Sequence, residues 1–241
     1  MDVPSTSRTS RIRPTTSNRR LRQRFVANVS EDDEEERPPL KCISHGQKIS
    51  EWAWKSEGRQ NTVFSHLIGR SGLAPLVATS YRSINKNIVS AFVERWQPET
   101  NTFHMPFGEM TITLDDVSTI LGIPVTEKSV SVDPLSFERS KILVQHGLGV
   151  TSQQAHEELV GVQGSSVRLE WLRDLYGDVT DADPEEHIRH AARAYLLNIL
   201  GCILFTDKSG TRVPVLYLRL LMNFDEAPTY AWGAAALAHL Y

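Results

Sequence analysis

Few side chains in this sequence stand at spacings that could do chemistry. His187 and His190 are three residues apart, an interval at which two imidazoles on one helical face can chelate a metal. A metal site needs a third protein ligand, and the sequence offers no convincing one; the pair reads as the polar first turn of a helix. Asp115 and Asp116 are paired carboxylates of the kind general acid–base catalysis uses. They also follow Thr113 at the start of an apolar-periodic run, where acids favour a helix N-terminus. Lys208, in Asp207-Lys208-Ser209-Gly210, is the one lysine whose setting suggests a Schiff base, but the same four residues are turn chemistry. No alternating strand–helix pattern supplies the parallel sheet that such an enzyme uses. His104 reads as packed or surface-lying. No Walker A loop, G-x-S-x-G elbow or G-x-G-x-x-G fingerprint occurs. The residues therefore predict no catalytic, cofactor-binding or metal-ligating site.

The 241 residues give room for one large domain or two small ones. The composition, 40% hydrophobic and 23% charged, is that of a globular protein and excludes collagen-like and wholly disordered classes. Two distant cysteines, Cys42 and Cys202, exclude a disulfide framework, a CxxC zinc site and an iron–sulfur cluster. No 18-residue apolar run and no secretory h-region occur, so the chain reads as soluble and intracellular, with no membrane partner.

The net charge of −3 hides an asymmetric tail. Residues 1–30 hold seven arginines against one acid, and residues 31–36 are all acidic. Such a stretch buries too little apolar surface to offset its ordering entropy, so residues 1–45 read as a disordered tail. Arg19, Arg20, Arg22 and Arg24 form a basic cluster that fits a nuclear import signal or a nucleic-acid contact. The bland alternative is a solvated tail whose acids neutralise its bases, and an organelle transit peptide ranks lower. Ser30, just before the acids, suits an acidophilic kinase. Beyond residue 36 the chain keeps 19 basic and 22 acidic residues. That balance argues against nucleic-acid recognition by the body itself.

The body, residues 60–241, reads as mainly α with one small β-hairpin. Expected helices are capped by Asn61, Asn87, Thr113 (with Asp116 as its capping-box partner), Asp133-Pro134, Thr151 (with Gln154), Ser166 and Asp183-Pro184. Ile88, Phe92 and Trp96 give the second its apolar spacing. The hairpin joins Thr102–Met105 to Glu109–Ile112 through Pro106-Phe107-Gly108. The helix after Asp183 is apolar around much of its circumference and should be central. Pro214 should start another, and a last one should open near Thr229. Trp96, Phe103, Phe107, Trp171 and Trp232 are expected mainly in the core. Leu240 and Tyr241 are apolar residues on a running helix, which reads as a domain truncated at its C-terminus with surface awaiting further protein.

The run from Phe92 to Val117, FVERWQPETNTFHMPFGEMTITLDDV, resembles the hallmark of the plant mobile domain family, also labelled aminotransferase-like. Its motif positions here are Glu94, Arg95, Trp96, Pro98, Glu99, Thr100, Phe103, His104, Pro106, Gly108, Glu109, Thr113 and Asp116. Blocks around Ala194–Phe205, Asp207–Gly210, Val213–Leu218 and Tyr230–Tyr241 agree. The resemblance implies a nuclear, transposon-related plant protein without established catalytic residues. It implies roles in transposon silencing, transcriptional regulation or meristem maintenance through protein partners, such as a serine/threonine phosphatase 7-type protein or another plant mobile domain protein. The GDxHG, GDxxDRG and GNHE signatures of a metallophosphatase are absent; Gly177-Asp178 is the one remnant. The expected function is a non-catalytic interaction module. The alternatives are nucleic-acid binding through the Arg-rich tail, and a degenerate fragment without function.

Overall fold

The computed structural model describes residue 52 and residues 62–79, 84–162, 164–180, 182–207 and 209–241. The charged tail, the Asn61 cap and Lys208 lie outside the described residues.

The helices, as α1 Thr62–Arg70, α2 Pro75–Ala78, α3 Lys86–Glu94, α4 Leu114–Leu121, α5 Phe137–Leu148, α6 Ser152–Gly161, α7 Leu169–Tyr176, α8 Glu185–Ile199 and α9 Trp232–Leu240, make the protein mainly helical. The centre is α8. All nine residues from Ala191 to Ile199 are buried, as its apolar circumference predicts. Helices α1, α5 and α7 and a 3-10 segment, Val215–Leu221, pack around it. Trp52 and Phe64 each meet Tyr195 edge-on at 5.4 Å. Burial pushes the Tyr195 hydroxyl up to about 12. Beyond α8 the backbone widens into a π-helical turn, Leu200–Leu204, closed by Phe205 N–H donating to Leu200 O at 2.8 Å. Gly201 lets this turn approach its neighbours: a Cβ there would lie 2.6 Å from Val213 Cβ and 2.9 Å from Leu169 Cδ2.

Two antiparallel sheets complete the fold. Strands β1 Trp96–Gln97, β2 Thr102–Met105 and β3 Gly108–Met110 pair in that order, so the expected hairpin gains a third, short strand. Strands β4 Ser166–Arg168 and β5 Arg212–Pro214 form the second sheet. Among the described residues, no helix is long and apolar enough to cross a membrane.

Both expected capping boxes are present, at Thr113/Asp116 and Thr151/Gln154. Other caps differ for identifiable reasons. Asn85, not Asn87, caps α3, because its Oδ1 reaches the amides of both Asn87 and Ile88 at 3.1 and 3.2 Å. That helix stops at Glu94, which moves Trp96 onto a strand. Ser136, whose hydroxyl accepts from Arg139 N–H, replaces Asp133-Pro134. Asp183 turns back to accept from the Thr180 amide and hydroxyl, leaving Pro184 at the cap position of α8. Ser166 belongs to β4, which pairs with β5 across a sequence gap that no local pattern reveals, whereas Pro214 ends β5 and also caps Val215–Leu221, so the helix expected to start there forms as a 3-10 segment. Of the five aromatics expected in the core, Trp232 is fully buried, Trp96, Phe103 and Trp171 are half-buried, and Phe107 is 80% exposed.

Candidate functional site

The motif region folds as one small layer on the side of the helical body. Its polar residues hold the backbone in place. Arg95 Nη1–H donates to Ala91 O at 2.8 Å, and Arg95 O accepts from His104 N–H at 2.8 Å, which ties the end of α3 to the sheet. Pro98-Glu99-Thr100-Asn101 makes the β1–β2 turn, with Asn101 at φ +54° and Thr100 and Thr102 hydroxyls 2.7 Å apart. Thr111 Oγ1–H closes on Asn101 O at 2.8 Å. Pro106-Phe107-Gly108 makes the next turn, with Gly108 at φ +131°. Thr102 Oγ1–H reaches Glu109 Oε2 at 3.3 Å. Asp116 Oδ2 accepts from both Thr113 N–H and Thr113 Oγ1–H, and these bonds hold its carboxyl below the usual range. Asp115 and Asp116 are therefore helix-start acids, as their position predicted.

The sheet's two faces differ. Directly opposed residues share a face. Trp96, Phe103 and Met110 are such partners and form one apolar row across all three strands. Gln97 with Thr102, and His104 with Glu109, form the other, polar face. Phe92 of α3 meets Phe103 edge-on at 5.4 Å. Tyr241 stacks on Trp96 at 5.1 Å, and its hydroxyl sits 2.6 Å from Thr111 Oγ1 while donating to Ile112 O at 2.8 Å. This contact fastens the sheet to the end of α9, and α9 in turn packs on α4.

The layer is left poorly covered. No residue of α3 is buried. Ile88 is 54% and Val93 51% exposed, and Ile84, Phe92, Met110 and Ile120 are exposed as well. The spacing of Ile88 and Phe92 was legible, but the partner that apolar spacing normally implies is not among the described residues. Within residues 84–121 the charged groups are Lys86 and Arg95 against Glu94, Glu99, Glu109, Asp115 and Asp116, so the apolar face sits in an acidic stretch.

The other titratable clusters are structural. His190 packs beneath Gly149, whose φ of +64° and missing Cβ make room for the ring. Burial, then Arg193, lower the His190 pKa, with Glu186 at 3.3 Å opposing them. The pair His187 and His190 is thus not a freely exposed first turn; His187 leans on the Tyr176 ring at 5.4 Å. Among the described residues, no group of three His, Cys, Asp or Glu could hold a metal. Arg193 lies buried, its guanidinium 3.4 Å from both Gly147 O and Met222 O and over the Phe224 ring at 5.6 Å. Burial alone would raise the Asp207 carboxyl. Donors from Ser209 Oγ and the Thr211, Arg212 and Gly210 amides outweigh that and hold it low, which fixes the turn as expected. The buried Glu158 and the half-exposed Arg168, which sequence reasoning missed, form a bidentate pair with Nη2···Oε2 at 2.6 Å. Only their opposite charges, ten residues apart, could have signalled it. The basic cluster Arg19, Arg20, Arg22 and Arg24 lies outside the described residues.

Comparison with known proteins fits this layout. The plant mobile domain profile matches residues 72–241. Protein MAIN-LIKE 2 of Arabidopsis thaliana is 37% identical over 87% of this chain and 29% of its own length. Protein MAINTENANCE OF MERISTEMS from the same plant is 35% identical over 86% of this chain and 41% of its own. The Serine/threonine-protein phosphatase 7 long form homolog, also of Arabidopsis thaliana, is 35% identical over 70% of this chain and 12% of its own. The chain thus spans well under half the length of these curated relatives. No solved structure matches the chain. The profile covers more than half of the chain, including the layer from Ile84 to Leu121 and the central helix α8, and the chain belongs to the plant mobile domain family.

Proposed function

We propose that this protein is a non-catalytic nuclear interaction module that acts in meristem maintenance, transposon silencing or transcriptional regulation through partner proteins. The observation that carries this reading is the division of labour in the motif region. Its polar side chains bond to their own backbone, while its apolar side chains, Ile88, Phe92, Val93 and Met110, stay exposed. Exposed apolar surface of that kind suits association with another macromolecule. The likeness to MAINTENANCE OF MERISTEMS and the MAIN-LIKE proteins supports the biological setting. The phosphatase 7 long form homolog makes a phosphatase 7-type protein, or a second plant mobile domain protein, the partner class to test first. Nuclear import would fall to Arg19, Arg20, Arg22 and Arg24.

The test is purification of the full tagged chain from plant nuclei, beside an Ile88→Lys/Val93→Lys variant. The expected result is co-recovery of a phosphatase 7-type or plant mobile domain protein with the unaltered chain. The variant should lose that partner while keeping its circular dichroism spectrum. Equal recovery with both proteins, or a chain confined to the cytosol, would overturn the reading.

A further inference from the structure

Three features of the motif layer point to the chemistry of its partner. The first is the free edge of its sheet. In an antiparallel pair, successive residues turn their backbone groups alternately to one side and the other. His104 donates its N–H toward β1, to Arg95 O. Phe103 and Met105 therefore turn toward β3, and the residue of β3 whose N–H and C=O face outward is Glu109. Among the described residues, no strand pairs with that edge, and Gly108, Glu109 and Met110 are all exposed. The second is the division of faces along the edge. Gly108, opposite Met105, and Met110, opposite Phe103, lie on the face of the apolar row, and Glu109 lies on the polar one. Gly108 leaves the end of the apolar row bare, since a Cβ there would meet nothing within 4 Å. The third is charge. Residues 84–121 carry five carboxylates and two cations, a balance that repels the phosphates of nucleic acids and anionic lipids.

Taking this layer as the interaction surface proposed above, we infer that β3 accepts an antiparallel strand from a partner protein, in which a Lys or Arg is flanked on both sides by bulky apolar residues. The cation stands opposite Glu109. It exchanges both backbone hydrogen bonds with that residue and meets the Glu109 carboxylate on the face they share. The flanking residues stand opposite Gly108 and Met110, so one fills the bare end of the apolar row and the other packs on Met110. Main-chain bonds thus supply attachment, and the alternation of apolar and cationic side chains supplies selectivity. A second copy of this chain pairing through its own β3 would set Glu109 against Glu109, a like-charge contact that opposes association. A helix laid over the apolar row would leave the outward N–H and C=O of Glu109 unused.

The experiment is residue-resolved amide exchange on the full chain with synthetic peptides of about six residues, an ordinary strand length, that alternate Val or Phe with Lys or Arg. At about millimolar peptide, Glu109 amide exchange should slow at least about tenfold while the amides of α8 stay unchanged. Methylating the amides of the peptide's cationic residues, which point at β3, should abolish the effect. Methylating those of its apolar residues, which point away, should preserve it. A peptide of the same composition with its cations and apolar residues in separate blocks should bind at least about tenfold more weakly. Binding of the alternating peptide should weaken toward about 0.5 M salt, where screening reaches within about 4 Å. Unchanged Glu109 exchange, equal effects of the two methylation patterns, or equal binding of the block peptide would overturn the inference. So would Glu109 protection in the free chain that is lost on dilution, which would assign the edge to a second copy. A nuclear partner that is lost with Ile88→Lys/Val93→Lys but leaves Glu109 exchange unchanged would overturn strand addition alone and leave the interaction module standing.

Discussion

The pair Glu158–Arg168 gives the sharpest stability prediction. Glu158 is almost wholly buried, with a side chain 2% exposed, between α6 and β4. Its carboxylate accepts from the Arg168 amide at 2.7 Å, from Arg168 Nε–H at 3.0 and 3.2 Å, and from Nη2–H at 2.6 Å. Arg168→Ala removes both guanidinium donors and leaves a desolvated carboxylate with one amide. Breaking a fully buried pair from one side costs about 3–5 kcal/mol. Arg168 is itself half exposed, so water can reach the gap and the expected loss falls to about 2–3 kcal/mol. A small opposing term exists. Arg168 stands directly across from Arg212 in the β4–β5 register, and removing one of two like charges there returns about 0.2–1 kcal/mol. The net prediction is a loss of about 2 kcal/mol in urea unfolding, little changed between low and high salt because the carboxylate is buried. Arg168→Lys should lose about half as much, since one ammonium cannot reproduce the two-pronged contact. A loss below about 0.5 kcal/mol for Arg168→Ala would refute the reasoning, because that is the range of an ordinary surface pair.

Further outcomes follow from other parts of the fold. Burial lowers the His190 pKa in the folded state, so unfolded chains bind more protons around and below the ordinary histidine pKa. Stability should therefore be complete above about pH 6.5 and fall as pH drops below it, more steeply than in His190→Gln; denaturant melts at pH 7.5 and 5.5 read the difference. Gly201→Ala should cost about 1–3 kcal/mol by forcing a methyl against Val213 and Leu169, seen as a lower Tm with an unchanged spectrum. Tyr241→Phe keeps the stack on Trp96 but removes the hydroxyl that serves Thr111 and Ile112, so amide exchange at Ile112 should accelerate while the core stays protected. Thr113→Ala should cost about 1 kcal/mol as a lost cap, whereas Asp115→Asn, outside the capping box, should cost only about 0.3 kcal/mol from the lost charge at the helix N-terminus.

What the sequence made legible was governed by how local each signal is. Thr113/Asp116 and Thr151/Gln154 are reciprocal contacts three residues apart, and both form as read. The central position of α8 followed from its apolar circumference. The errors arose where two local solutions compete and tertiary pairing decides. Ser166 is a sound cap in isolation, yet its segment pairs with Arg212–Pro214 and becomes a strand. Asp133-Pro134 is a sound helix start, yet Ser136 offers its hydroxyl one step closer to the apolar run. Asn85 and Asn87 are chemically identical candidates separated by which amides the side chain can reach.

The motif layer presents the reverse case, in which the local reading was sound and its usual consequence fails. Ile88 and Phe92 recur at helical spacing, and such spacing normally buries a face. Here α3 forms, is capped by Asn85, and leaves every residue exposed or half-buried. A nine-residue helix is too short to persist through its own hydrogen bonds, since isolated helices below about 12–15 residues are marginal in water. Its order therefore depends on contacts such as Phe92 with Phe103. On the proposed reading, a partner that covers Ile88 and Val93 couples the stability of this layer to binding. Occupancy should then raise the protection of α3 and β3 together, while leaving α8, sealed in the core, unchanged. Protection that rose equally in α8 would mean global stabilisation and would contradict a docking event confined to this layer.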